Sequence, residues 1–264
     1  KRARTAAGSS STSASADAPI VLLDGGEPLS TALVALWRAE RLTDTVVTVE
    51  GGGRFPAHKL VLAAGAEFFS AIFESPMRDS AEPHLKDTPS AAFSPCLDFL
   101  YEGCCRVAEP VLPDLLRAAN YLGIKPLESS AATALASRLA PSNCLQLWGL
   151  ADDLTTVPEL AEAAQEAALK GFEELGDTLV EEASLEQVQA LVADDRLEVE
   201  SEEAVFLAVQ RFVEAQGGNG TRYRCEYSLQ LAVRHVQTAV HKLVYMGTDG
   251  VSENKWSAQQ SADA

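Results

Sequence analysis

The chain has 264 residues, 47% of them hydrophobic and 22% charged, which is globular composition and enough for one large domain or two ordinary ones around a real core. A formal net charge of -17 repels phosphate backbones and argues against a nucleic-acid partner. No apolar run approaches the length of a membrane-spanning helix and no basic segment leads into an apolar stretch and a cleavage site, so neither a membrane partner nor a secretory leader is predicted.

In chain order, the stretch up to residue 27 is predicted as a disordered tail, since Lys1–Ala18 is Ser-rich and has few side chains able to offset the entropy of ordering. Residues Pro28–Arg41 place Leu29, Leu33, Leu36 and Trp37 at helical spacing. Thr45–Glu50 is β-branched and strand-like, Gly51-Gly52-Gly53 supplies a tight turn, and Arg54–Ala57 returns as a second strand before another helix. Thr88-Pro89 predicts a helix start, with a hydroxyl N-cap and proline at the first helical position. That helix turns Phe93, Leu97, Leu100 and Tyr101 inward and stops at Gly103. Cys104–Val107 then forms a short strand. Val111, Leu115, Ala118 and Leu122 line one helix face ending at Gly123, and a further helix runs from Pro126 to Leu139. Residues 28–140 therefore read as an α+β domain.

Past Pro141-Ser142 every periodic segment is helical: Cys144–Leu154, Pro158–Leu175, Leu185–Ala193 and Ala204–Val213, the last capped by Ser201. From Pro141 to Glu203 there are 17 Asp and Glu against 2 Lys and Arg, a solvated acidic face in the first instance. One more helix is predicted at Ser228–Val240, so that residues 141–240 form an all-α domain and 241–264 a disordered tail.

The residues that could carry chemistry do not converge. Gly51-Gly52-Gly53 is not followed by Lys-Ser or Lys-Thr and opens no helix, so it lacks the context of a phosphate cradle. Cys96, Cys104, Cys105, Cys144 and Cys225 contain no CxxC pair and form an odd set, which predicts reduced thiols in the cytoplasm or nucleus and no zinc site. His58, His84, His235 and His241 make no HExxH, and there is no Gly-x-Ser-x-Gly elbow. Asp152-Asp153 and Asp194-Asp195 are chain neighbours, which on a helix do not face each other. No catalytic residue, cofactor or metal is predicted, and the chain is read as a non-enzyme.

The run Thr43–Ser80, with Asp44 opening the first strand, "FPAHKLVLAA" at Phe55–Ala64 and Phe68, Phe69 and Phe73 following, resembles the BTB (POZ) domain. "FLYEG" at Phe99–Gly103 and "LLRAANYLGI" at Leu115–Ile124 extend the likeness. Asn143–Leu154 and Val188–Val213 resemble the BACK domain that follows BTB in kelch-like adaptors, and Leu231–Gln237 is similar to its later Val-Arg segment. No blade-length repeat follows.

The resemblance implies an α+β BTB/POZ domain, a small β-sheet flanked by helices, followed by an all-α BACK domain. It further implies a homodimer that holds the third-class cullin scaffold of a RING ubiquitin ligase and presents an unknown substrate protein. The dimer face implied is Leu33, Leu36 and Trp37 of the first helix with Asp44, His58 and Lys59, in which Lys59 pairs with Asp44 and His58 is structural or interfacial. The cullin face implied is Phe73, Met77, Asp79, Asn120 and Tyr121; Asp79 stands where the family carries Glu, with the charge kept and the reach one methylene shorter. The alternative is a BTB oligomerisation or transcriptional corepressor scaffold with no cullin role.

Overall fold

A computed structural model of the chain describes residues 18–26, 28–74, 82–199 and 201–216. The predicted tail up to residue 17, the Met77-Arg78-Asp79 motif and the predicted helix Ser228–Val240 with the segment after it lie outside the described residues.

The stretch read as tail contains a strand, β1 (Ile20–Asp24). It alternates, with Val21 and Leu23 buried and Ile20, Leu22 and Asp24 outward, and pairs antiparallel with β5 (Cys104–Ala108) from Ile20↔Ala108 to Asp24↔Cys104. Five residues carry too little periodicity to announce a strand, and its ladder partner among the described residues lies far downstream. Helix α1 (Thr31–Arg38) is shorter than predicted. It ends in a Schellman pattern: Glu40 N–H donates to the Trp37 carbonyl and Arg41 N–H to the Leu36 carbonyl, each at 2.9 Å, with Glu40 at φ 53°.

The hairpin forms as expected from β2 (Thr45–Glu50) and β3 (Arg54–Ala57), its turn made by Gly51 and Gly52 at φ 80° and 82°. Beyond α2 (Lys59–Gly65) and α3 (Glu67–Glu74), an unpredicted strand β4 (His84–Pro89) lies parallel to β2, giving the order β3-β2-β4. This corrects the predicted helix start. Pro89 is extended at ψ 148° in the ladder, Thr88 is buried, and α4 (Ser90–Glu102) begins one residue later with no side-chain cap. The strand pairing overrode the local capping signal.

Helix α4 does stop at Gly103, at φ 73°, and buries Phe93, Leu97 and Tyr101. A 3-10 turn at Glu109–Val111 leads into α5 (Leu112–Leu122), which ends at Gly123, and α6 (Lys125–Ala136) follows. Leu62, Phe69, Leu85, Phe93, Leu115, Leu116 and Leu122 meet in the core, each worth about 1.5–3 kcal/mol of burial.

The remaining described elements are helices: α7 (Cys144–Leu154), α8 (Pro158–Lys170), α9 (Phe172–Glu182), α10 (Leu185–Ala193) and α11 (Glu202–Gln216). The single helix predicted over Pro158–Leu175 breaks at Gly171, where a Cβ would stand 2.8 Å from the Pro141 ring. The α+β then all-α division is as expected. The compact units divide elsewhere, however: Leu147–Ala164 belongs with the unit that ends at Leu139, and Ala140–Gln146 with the unit from Gln165 onward. Leu147, Leu150, Ala151, Val157 and Leu160 join the first unit's core, which sequence periodicity cannot reveal.

Candidate functional site

Two groups of the expected residues can be followed, both in the first unit. Around α1, Leu33, Leu36 and Trp37 are half-buried and no residue of the helix is fully buried, as a peripheral apolar stripe requires. Trp37 is already packed within its own chain, its ring stacked on Tyr101 at 4.2 Å and 6°. The Arg38 guanidinium lies 4.5 Å from the Trp37 ring centre and pairs with Asp98 at 3.0 Å and Glu102 at 2.6 Å. The bond to Glu102 raises the Arg38 pKa, while burial pushes the Asp98 carboxyl up despite that cation. These partly exposed pairs contribute at most about 1 kcal/mol each.

His58 is committed to structure. Its backbone N–H donates to the Tyr101 hydroxyl at 3.0 Å, and its ring Nε2 lies 3.1 Å from the Arg41 carbonyl. A carbonyl only accepts, so Nε2 carries the proton and Nδ1 accepts from the Tyr101 hydroxyl at 2.8 Å. Burial pushes the Tyr101 phenol up to about 12. The expected Lys59–Asp44 pairing is made differently: the Lys59 backbone N–H donates to Asp44 Oδ1 at 2.8 Å, and the ammonium sits 5.4 Å over the Phe73 ring. Lys59, expected at one face, therefore touches Phe73, expected at the other. Tyr101, Arg38, Asp98 and Glu102 were missed as members of this site. Tyr101 was legible as an inward residue, whereas the approach of α1 to α4 has no local signal.

At the second group, rings form a chain. Phe73 stacks on buried Phe69 at 5.9 Å, Phe69 meets Phe68 at 5.4 Å, and Phe68 meets Tyr121 at 4.8 Å. Tyr121 is 51% exposed. Its neighbour Asn120 turns its amide inward, donating to Glu128 Oε1 and to Thr156 Oγ1, both at 2.8 Å. The Thr156 hydroxyl in turn donates to Glu128 Oε1, and Lys125 Nζ reaches Oε2 at 3.2 Å. Burial opposes ionisation of Glu128, but the bonds from Thr156, Asn120 and Lys125 prevail and hold its carboxyl below the usual range. Glu128 and Thr156 carried no motif and were not expected.

Among the described residues no three His, Cys, Asp or Glu side chains converge as a metal site. Cys96 and Cys105 are buried free thiols with raised pKa values, chiefly from desolvation. The geometry offers packed and partly exposed aromatic surface, which suits binding.

The family model for the BTB/POZ domain matches residues 33–139, and that for BACK, "BTB And C-terminal Kelch", matches residues 144–237. The chain is 34% identical over 176 residues to Kelch-like protein 3 of Mus musculus, covering 65% of this chain and 30% of that one. It is 33% identical over 181 residues to Kelch-like protein 21 of Homo sapiens (67% and 30%), and 32% identical over 204 residues to Kelch-like protein 3 of Pongo abelii (76% and 34%). It thus spans about a third of the length of these curated relatives. The α+β fold, the helical second half and the two matched models, in that order along the chain, make this protein a BTB domain followed by a BACK domain, of the kind found in the kelch-like family.

Proposed function

We propose that this BTB–BACK module is a homodimeric substrate adaptor of a cullin-RING ubiquitin ligase, acting by affinity and geometry in the cytoplasm or nucleus and doing no chemistry itself. The observation that carries the reading is the ring chain from Phe73 through Phe69 and Phe68 to exposed Tyr121, with Phe73 four residues before Met77 in sequence. An exposed tyrosine braced by a second ring makes an anchor of the kind that dominates interfaces. Half-buried Leu33, Leu36 and Trp37 supply apolar surface for a second copy, and two-fold symmetry would present two scaffold sites.

The test is capture of the N-terminal region of a third-class cullin by the purified chain, with the oligomeric state followed by light scattering. Binding at micromolar concentration or tighter is expected, with Tyr121→Ala weakening it by about tenfold or more. Asp79→Glu is expected to strengthen it and Met77→Ala to abolish it. An intact dimer that captures no cullin overturns the adaptor reading in favour of an oligomerisation or corepressor scaffold.

A further inference from the structure

Asn120 was expected to touch the cullin, yet its amide nitrogen is turned into the chain, toward Glu128 and Thr156. The amide nitrogen donates toward both Glu128 Oε1 and Thr156 Oγ1, while the single Thr156 hydroxyl hydrogen goes to the same Glu128 oxygen. The ring closes on three elements: Asn120 in α5, Glu128 in α6, and Thr156 in the turn between α7 and α8. Glu128 is 3% exposed, and its second oxygen is taken by Lys125. A carboxylate this buried is tolerated only when its lone pairs are used, so the three donors are a requirement of the fold at this point.

The turn that the ring grips is otherwise strained. Thr155 is β-branched at φ 56°, a conformation that persists only where neighbours impose it. Thr156 supplies that hold through the ring, and Val157 supplies it by burial in the core beside it. The exposed residue next to Asn120 on α5 is Tyr121, the anchor of the proposed docking face.

We propose that Glu128, Asn120 and Thr156 form a polar clamp that fixes the α7–α8 turn against α5, and that Asn120 is a positioning residue for the docking face rather than a contact residue. What docks there rests on the adaptor reading; the clamp itself does not.

The experiment uses the full chain and two readouts: amide hydrogen exchange over residues 155–160, and affinity for the N-terminal cullin region. Asn120→Ala and Thr156→Val should each speed exchange in that turn and weaken capture by roughly three- to tenfold. The double variant should be no weaker than the worse single one, because both open the same ring. Glu128→Gln keeps an acceptor at the Oε1 position and should stay within about twofold of the unmodified chain, while Glu128→Ala behaves like the other two.

Losses that add in the double variant, or an Asn120→Ala chain that loses affinity with unchanged exchange, would make Asn120 a direct contact and overturn the proposal. If the unmodified chain captures no cullin, the adaptor reading falls and exchange alone decides the clamp: acceleration in Asn120→Ala and Glu128→Ala upholds it, and no change overturns it.

Discussion

His58 stands at the polar head of an otherwise apolar run, where a sequence reader looks for a ligand or a base. Both of its ring nitrogens and its backbone N–H are used inside the chain, so its function is to seat the start of α2 against Tyr101 and the end of α1. Gly103 was legible as a helix stop, but its stronger constraint was not. It sits at φ 73°, and a Cβ there would stand 2.7 Å from the Gly26 carbonyl oxygen and 2.8 Å from the Pro28 nitrogen, while Gly26 donates its N–H to the Gly103 carbonyl at 3.0 Å. Two glycines therefore let the segment after β1 cross the end of α4. Gly103→Ala should cost about 2–4 kcal/mol, more than the roughly 1 kcal/mol of an ordinary left-handed cap, as measured by urea denaturation. A loss under about 1 kcal/mol would show that the crossing relaxes freely.

Among elements, legibility follows how local the information is. Helix α10 matches its predicted span, Leu185–Ala193, because periodicity and cap coincide. Ser184 Oγ accepts the Gln187 N–H at 3.1 Å and Gln187 Oε1 accepts the Ser184 N–H at 2.9 Å, a reciprocal capping box. Gln187 is buried and also donates Nε2–H to the Leu145 carbonyl at 3.0 Å. Ser184→Ala should cost about 1 kcal/mol, and Gln187→Ala more, because it also removes the buried bond to the Leu145 carbonyl. Thermal unfolding of the two variants checks the order, and equal shifts would mean the Leu145 bond contributes nothing. The strands that escaped prediction, β1 and β4, pair with residues distant in sequence. At Thr88-Pro89 the ladder to β2 won over a favourable N-cap because the segment buries Leu85 and Thr88 as a strand.

For the molecule as a whole, acid is the informative perturbation. The folded-state pKa of Glu128 is held below its ordinary value of about 4.3, so the native state favours the ionised carboxyl more than the unfolded chain does. That contribution is complete above the ordinary pKa and is lost as pH falls through the lower folded value. Unfolding free energy should thus drop below about pH 4, and Glu128→Gln should remove part of the slope. Titration by denaturant midpoint at several pH values measures it, and identical slopes would discount Glu128. Asp98 shifts the opposite way, chiefly through burial, and offsets some of the effect.

The order of the two domains, most helices and the glycine hairpin were legible in the sequence, because those depend on periodicity, turn chemistry and residue type over short windows. That Ile20–Asp24 is a strand, that Leu147–Ala164 packs with the first unit, and that Asn120 points inward to Glu128 and Thr156 emerge only from the folded chain. Each of these depends on which distant residues become neighbours, and neither local propensity nor a short motif contains that information.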